Sequence, residues 1–132
     1  MASGDDRQEI SAAAEALARQ RGYHIDVYDW LAEKDPEFEK LRLEYISHLY
    51  TPSNPTLPVK YRELIVSILL AFRGLPSTKM HLRRALNEGA TMQELIEAFE
   101  TASLPGGLPV MSFGLKQLIE LESEMAGSGS EG

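Results

Sequence analysis

The sequence predicts an all-α protein of about seven helices. Apolar residues recur at helical spacing along most of the 132 residues, while period-two alternation is absent and β-branched residues are scattered. Proline, glycine and cap residues also punctuate the chain at intervals that suit helices.

Asp5 and Asp6 precede an alanine-rich segment closed by Gly22, which marks a first helix from about residue 6 to about residue 21. Its stripe of Ile10, Ala13, Ala14 and Leu17 is thin, so it should pack on the outside of something larger. Asp26 can cap a short second helix carrying Val27, Trp30 and Leu31. Asp35 followed by Pro36 is a restart: a cap residue, then proline where its missing N–H costs nothing. The third helix should reach about Tyr50, with Phe38, Leu41, Tyr45 and Leu49 on one face.

Three prolines and an asparagine make Thr51 to Pro58 a loop. Pro58 opens a central helix that Gly74 ends. From Leu64 to Phe72 that helix is almost wholly apolar, the pattern of a helix covered on all sides, by neighbours or by a second chain. Leu75-Pro76 break the chain, Ser77 can cap the fifth helix, and Gly89 closes it. Thr91 and Glu94 form a capping box. The sixth helix then places Met92, Leu95, Ile96, Phe99 and Ala102 at helical spacing. Leu104 to Pro109 reads as a tight turn before a last helix bearing Met111, Leu115, Leu118 and Ile119. The expected organisation is one domain over 1–132, with flexible tails at 1–4 and 127–132, and with the last four helices forming the core.

The net charge of −7 and the pI of about 4.9 argue against nucleic acid or an anionic membrane as a partner. Without cysteine the chain has no disulfide, no thiol chemistry and no Cys-ligated metal. No apolar run approaches a membrane span of about 18 residues, and the polar, acidic N-terminus is not a signal peptide. The cytoplasm is the expected location.

Candidate chemistry centres on Glu63 and His81. A carboxylate entering an apolar helix needs a partner, because an unpaired buried charge is costly. The nearest candidate across the break is His81, in the first turns of its own helix, where Glu63 would fix its tautomer for acid–base work. The plainer readings are a hydrogen-bonded structural histidine and a surface ion pair of Glu63 with Lys60 or Arg62. Arg83 and Arg84 follow His81, and only one of them can point inward with it. Tyr45 and His48, near the end of the third helix, are candidates for a pocket rim. Three histidines without a ligand spacing give no metal site, and Gly106-Gly107 reads as a turn rather than a phosphate loop.

Two segments, LPVKYRELIVSILLAF and HLRRALNEGATMQELIEAFETASLPGGLPVMSFGLKQL, resemble the carboxymuconolactone decarboxylase family, within the alkylhydroperoxidase D-like superfamily. The resemblance covers about residues 57 to 121 and rests on the entry L-P-x-K-x-R-E-L-I, the segment H-x-R-x-A-L-x-x-G, the capped helix after it and the G-G-x-P turn. It implies an alkylhydroperoxidase D-like helical fold that assembles as a homotrimer or homohexamer. Peroxidase-type members carry a CxxC pair between the Glu and the His. Here that region is Gly74-Leu75-Pro76-Ser77-Thr78, so thiol peroxidase activity is not expected. Decarboxylase-type members lack the pair and read H-L-R, as His81-Leu82-Arg83 does.

The resemblance therefore implies a cofactor-free, metal-free lyase that decarboxylates a small carboxylated lactone, such as 4-carboxymuconolactone, in aromatic catabolism. His81 would reprotonate carbon, Glu63 would orient it, and Arg83 would hold a substrate carboxylate. His48 and Tyr45 would belong to the pocket wall. The alternatives are a decarboxylase or isomerase acting on another small oxo-acid, and a non-catalytic oligomeric protein of the same fold.

Overall fold

In a computed structural model, which describes residues 3–22, 24–50 and 56–130, the described residues form seven α-helices and no strand. They are α1 (Gly4–Arg21), α2 (Val27–Lys34), α3 (Pro36–Tyr50), α4 (Val59–Phe72), α5 (Thr78–Asn87), α6 (Met92–Gly106) and α7 (Leu108–Ser130). The expected single domain is built as two compact units, residues 1–55 and 56–132. Among the described residues no helix is long and apolar enough to cross a membrane. The loop expected over Thr51 to Pro58 falls largely outside the described residues.

The N-terminal unit contains α1, α2 and α3. Ser3 caps α1 in a capping box with Asp6, so the helix starts at Gly4, slightly earlier than its acidic residues alone suggest. Gly22 then closes it with a left-handed φ of 79°. At the start of α3, Asp35 Oδ1 accepts from the Phe38 amide at 3.1 Å. The core is small: Ile10 and Leu17 of α1 meet Leu43 of α3, with Ala13, Ala14, Ala32, Ile46 and Tyr50 around them. On α3 the apolar stripe read from the sequence lies on the exposed face. Phe38, Leu41, Tyr45 and Leu49 are exposed, and Glu39 and Leu43 are buried instead. The apolar stripe was real, but periodicity marks a face to be covered without saying what covers it.

The second unit contains α4 to α7 around one core of Ala71, Leu82, Ala85, Leu95, Phe99, Val110, Leu118 and Leu121. The expected stripe of α6 lies in or against this core: Leu95 and Phe99 are fully buried, with Met92, Ile96 and Ala102 packed beside them. Thr91 and Glu94 form the capping box read from the sequence. On α7, Leu118 is buried and Met111 and Leu115 pack on the core, while Ile119 faces outward.

Two features of this unit depart from the sequence reading, and a third narrows it. The segment Leu104 to Gly106 is not a turn; α6 continues through Pro105 to Gly106, and the chain reverses only at Gly107, whose φ of 85° needs a residue without Cβ. Pro105 is tolerated there because it removes a single N–H, in the last turn of the helix. Next, α7 stays helical to Ser130, through part of the segment expected as a flexible tail. Finally, α4 is not covered on all sides within this chain. Its buried residues are Glu63, Ser67 and Ala71, spaced four apart on one face, while Tyr61, Ile65, Leu69 and Phe72 are exposed. The buried face thus carries the polar Glu63 and Ser67, flanked by Leu64 and Ile68 packed on the core, while the opposite face presents large apolar residues.

Candidate functional site

The site follows from how α4 and α5 are joined. Gly74 takes a φ of 67°, and the amide of Leu75 bonds back to the Leu70 carbonyl at 3.0 Å, so α4 ends in a tight reversal. The α5 helix starts four residues after Gly74 and packs against the α4 face that carries Glu63, Ser67 and Ala71. Thr78, also fully buried, bonds its hydroxyl to the Leu75 carbonyl at 2.6 Å and pins the start of α5. Ser67 donates its hydroxyl to the Glu63 carbonyl at 2.7 Å and needs no partner from another helix.

This packing closes Glu63 off from water and sets His81 against it. His81 Nδ1 lies 2.7 Å from Glu63 Oε2, with the two residues 6% and 1% exposed. A carboxylate accepts, so the proton of that bond sits on Nδ1, and Nε2 is the ring nitrogen turned away from Glu63. Arg84 Nε lies 3.1 Å from the other carboxylate oxygen, Oε1, and Arg84 is buried as well. The plainer ion pairs do not form: Arg62 Nε donates to the Leu57 carbonyl at 3.0 Å, and Lys60 pairs with Glu94 at 3.5 Å.

Of the two adjacent arginines, the structure turns Arg84 inward, not Arg83. Residues 81 and 84 are one turn apart and share a face, whereas 83 lies on nearly the opposite side. Arg83 is exposed and ion-paired with Glu124 of α7, which also accepts from Lys79 Nζ at 2.6 Å. The Lys79 hydrogen bond, with both cations nearby, holds the Glu124 carboxyl below the usual glutamate range, despite some desolvation. The anchoring role expected of Arg83 thus meets a side chain already engaged on the surface. Tyr45 and His48 are exposed residues of α3, in the other unit.

Three side chains therefore meet in the second unit: Glu63, His81 and Arg84. The sequence reading weighed Arg84 beside Arg83 and carried Arg83 forward, although the i, i+3 spacing of His81 and Arg84 favoured Arg84.

Residues 36–120 match the model of the carboxymuconolactone decarboxylase family, and that stretch runs from α3 into α7 and includes all three buried residues. The chain belongs to the carboxymuconolactone decarboxylase family. A 4-carboxymuconolactone decarboxylase from Acinetobacter baylyi is 34% identical over 74 residues, 55% of this chain. The chain spans about half the length of that curated relative, since the match covers 55% of it. The crystal structure of a candidate carboxymuconolactone decarboxylase from Burkholderia xenovorans LB400 superposes with a TM-score of 0.73 at 27% identity, covering 92% of this chain and 98% of that one. Within this carboxymuconolactone decarboxylase family member, the helices α1 and α2 precede the segment matched by the family model.

Proposed function

We propose that the protein is a cofactor-free carboxy-lyase acting on a small carboxylated lactone such as 4-carboxymuconolactone, with His81 as the acid. The buried 2.7 Å contact between His81 Nδ1 and Glu63 Oε2 carries this reading. Membership of the family and the partial similarity to a named 4-carboxymuconolactone decarboxylase support the reaction class.

In such a lactone the leaving carboxylate is conjugated through an alkene to the lactone carbonyl. When the carbon–carboxyl bond breaks, its electron pair moves into that system and leaves a dienolate, with the charge on the carbonyl oxygen. Carbon dioxide departs, and one proton must return to carbon. His81, in its imidazolium form, gives the Nε2 proton while Nδ1–H stays bonded to Glu63. The neutral ring then recovers a proton from water. Holding one tautomer and one orientation is the service Glu63 provides. Arg84 balances the Glu63 charge where water is excluded, so the carboxylate stays aimed at the ring. The geometry favours Arg84 over Arg83 as the cation of this site.

The test is carbon dioxide release from freshly generated 4-carboxymuconolactone, with wild type beside His81→Ala. We expect wild-type turnover and a loss of about 100-fold or more in the variant, in keeping with a general acid. Unchanged rates in His81→Ala would remove its role. Absence of turnover by the wild type would end the case for this substrate and direct the search to other small oxo-acids. Arg83→Ala in the same assay separates a substrate anchor from a surface residue tied to Glu124.

A further inference from the structure

The N-terminal unit contains a cavity of about 600 Å³, far in sequence from Glu63 and His81. Its size falls within the range of small-molecule sites. Walls of Ile10, Ala14, Leu17, Ala32 and Leu43 are apolar, and the alanines leave open the room that larger side chains would fill. Exposed residues of both signs also line it, Arg7, Arg19 and His24 with Glu15, Asp29 and Glu33, so they give little net pull on a charged ligand.

The polar part is an assembled group. Glu39 is 1% exposed, and both its oxygens accept from Arg42: Oε2 from Nε at 2.6 Å and Oε1 from Nη2 at 2.7 Å. The Arg42 guanidinium also lies over the Tyr28 ring, 3.4 Å from its centroid. One edge and one face of the guanidinium are thereby fixed. The edge formed by Nη1 and the second Nη2 hydrogen is the one a further acceptor would take. A buried ion pair contributes little net stability compared with apolar packing, so a pair retained in a cavity wall calls for another use.

We infer that this cavity binds a small apolar monocarboxylate, its carboxylate on the outer edge of Arg42 and its body against Ala14, Ala32 and Leu43. An amine is disfavoured because Glu39, 1% exposed and already paired with Arg42, offers it no accessible charge. A dianion such as phosphate is disfavoured relative to a monoanion, because the Glu39–Arg42 pair carries no net charge to offset a second negative charge. The site is distinct from the Glu63–His81 pair and does not rest on the proposed lyase activity.

The experiment is a titration of the full-length protein with sodium benzoate, followed by backbone amide NMR shifts. We expect saturable shifts at residues of α1 to α3, Tyr28 and Arg42 among them, with a dissociation constant of roughly millimolar order. Arg42→Lys keeps the charge and loses the fork; Ala32→Leu fills the cavity and touches no hydrogen bond of the Glu39–Arg42 pair. Each should weaken binding about tenfold or more. If Arg42→Lys does not fold, Ala32→Leu alone decides. Shifts confined to α4–α7, unchanged affinity in Ala32→Leu, or no saturable shift in the wild type would each overturn the inference.

Discussion

The ring of Phe99 on α6 occupies the space that a side chain at Gly114 on α7 would need: a Cβ there would fall 2.6 Å from the Phe99 Cγ. Both residues are buried, and Phe99 is 0% exposed in the centre of the second unit. The pair sets how closely α6 and α7 approach. Gly114→Ala should therefore destabilise the protein by about 1–3 kcal/mol through overpacking, even though alanine is the better helix former. Urea denaturation of variant against wild type measures it. An equal or higher midpoint would show that α7 shifts outward without cost.

The adjacent arginines should behave in opposite ways. Arg84→Ala leaves Glu63 buried with its Oε1 side uncompensated, and a broken buried pair costs about 3–5 kcal/mol. Arg83→Ala removes only an exposed ion pair to Glu124 and should barely move the melting temperature. Thermal melts of the two variants in one buffer check the contrast. Equal losses would contradict the inward assignment of Arg84.

The pH dependence of the N-terminal unit should carry a histidine signature. The hydrogen bond that His24 Nε2 donates to Asp29 Oδ2 at 2.8 Å raises the His24 pKa above 6.5, aided by the charges of Asp29 and Asp26 and opposed by desolvation. A raised folded pKa means the protonated form is favoured in the folded state. Its contribution is complete below 6.5, the unfolded value, and is lost as the pH rises through the folded one. His24→Gln should therefore lower the melting temperature at about pH 5.5 and have less effect at about pH 8.5. A constant difference across that range would rule out a protonated His24–Asp29 pair. Because the group is exposed, the effect should be small and should shrink with added salt.

The outer face of α4 predicts self-association. Ile65, Leu69 and Phe72 are 48%, 58% and 61% exposed, an apolar face opposite the buried Glu63 and Ser67. The trimer or hexamer expected from the family resemblance would cover such a face. Sedimentation equilibrium of the wild type should give a mass above 14.7 kDa, and Ile65→Lys with Leu69→Lys should reduce it. A wild-type monomer would leave this face without a second copy as its partner.

The sequence carried the helices and most of their boundaries, because these depend on local chemistry. Thr91 and Glu94 satisfy N–H groups within one turn, Asp35 and Pro36 start a helix on their own, and Gly74 supplies a left-handed φ. The coupling of Glu63 to His81 was legible for a related reason: one short break separates their helices, and a buried carboxylate must find a partner nearby. Tertiary structure alone decided the facing of amphipathic surfaces. It turned Phe38, Leu41 and Tyr45 outward and buried Glu39, and it put Glu63 and Ser67 of α4 inside with Ile65 and Leu69 outside. It also chose Arg84 over Arg83 and carried α6 through Pro105. Those choices depend on which surfaces meet across the fold, and spacing along a single helix records only which residues share a face, not what that face will touch.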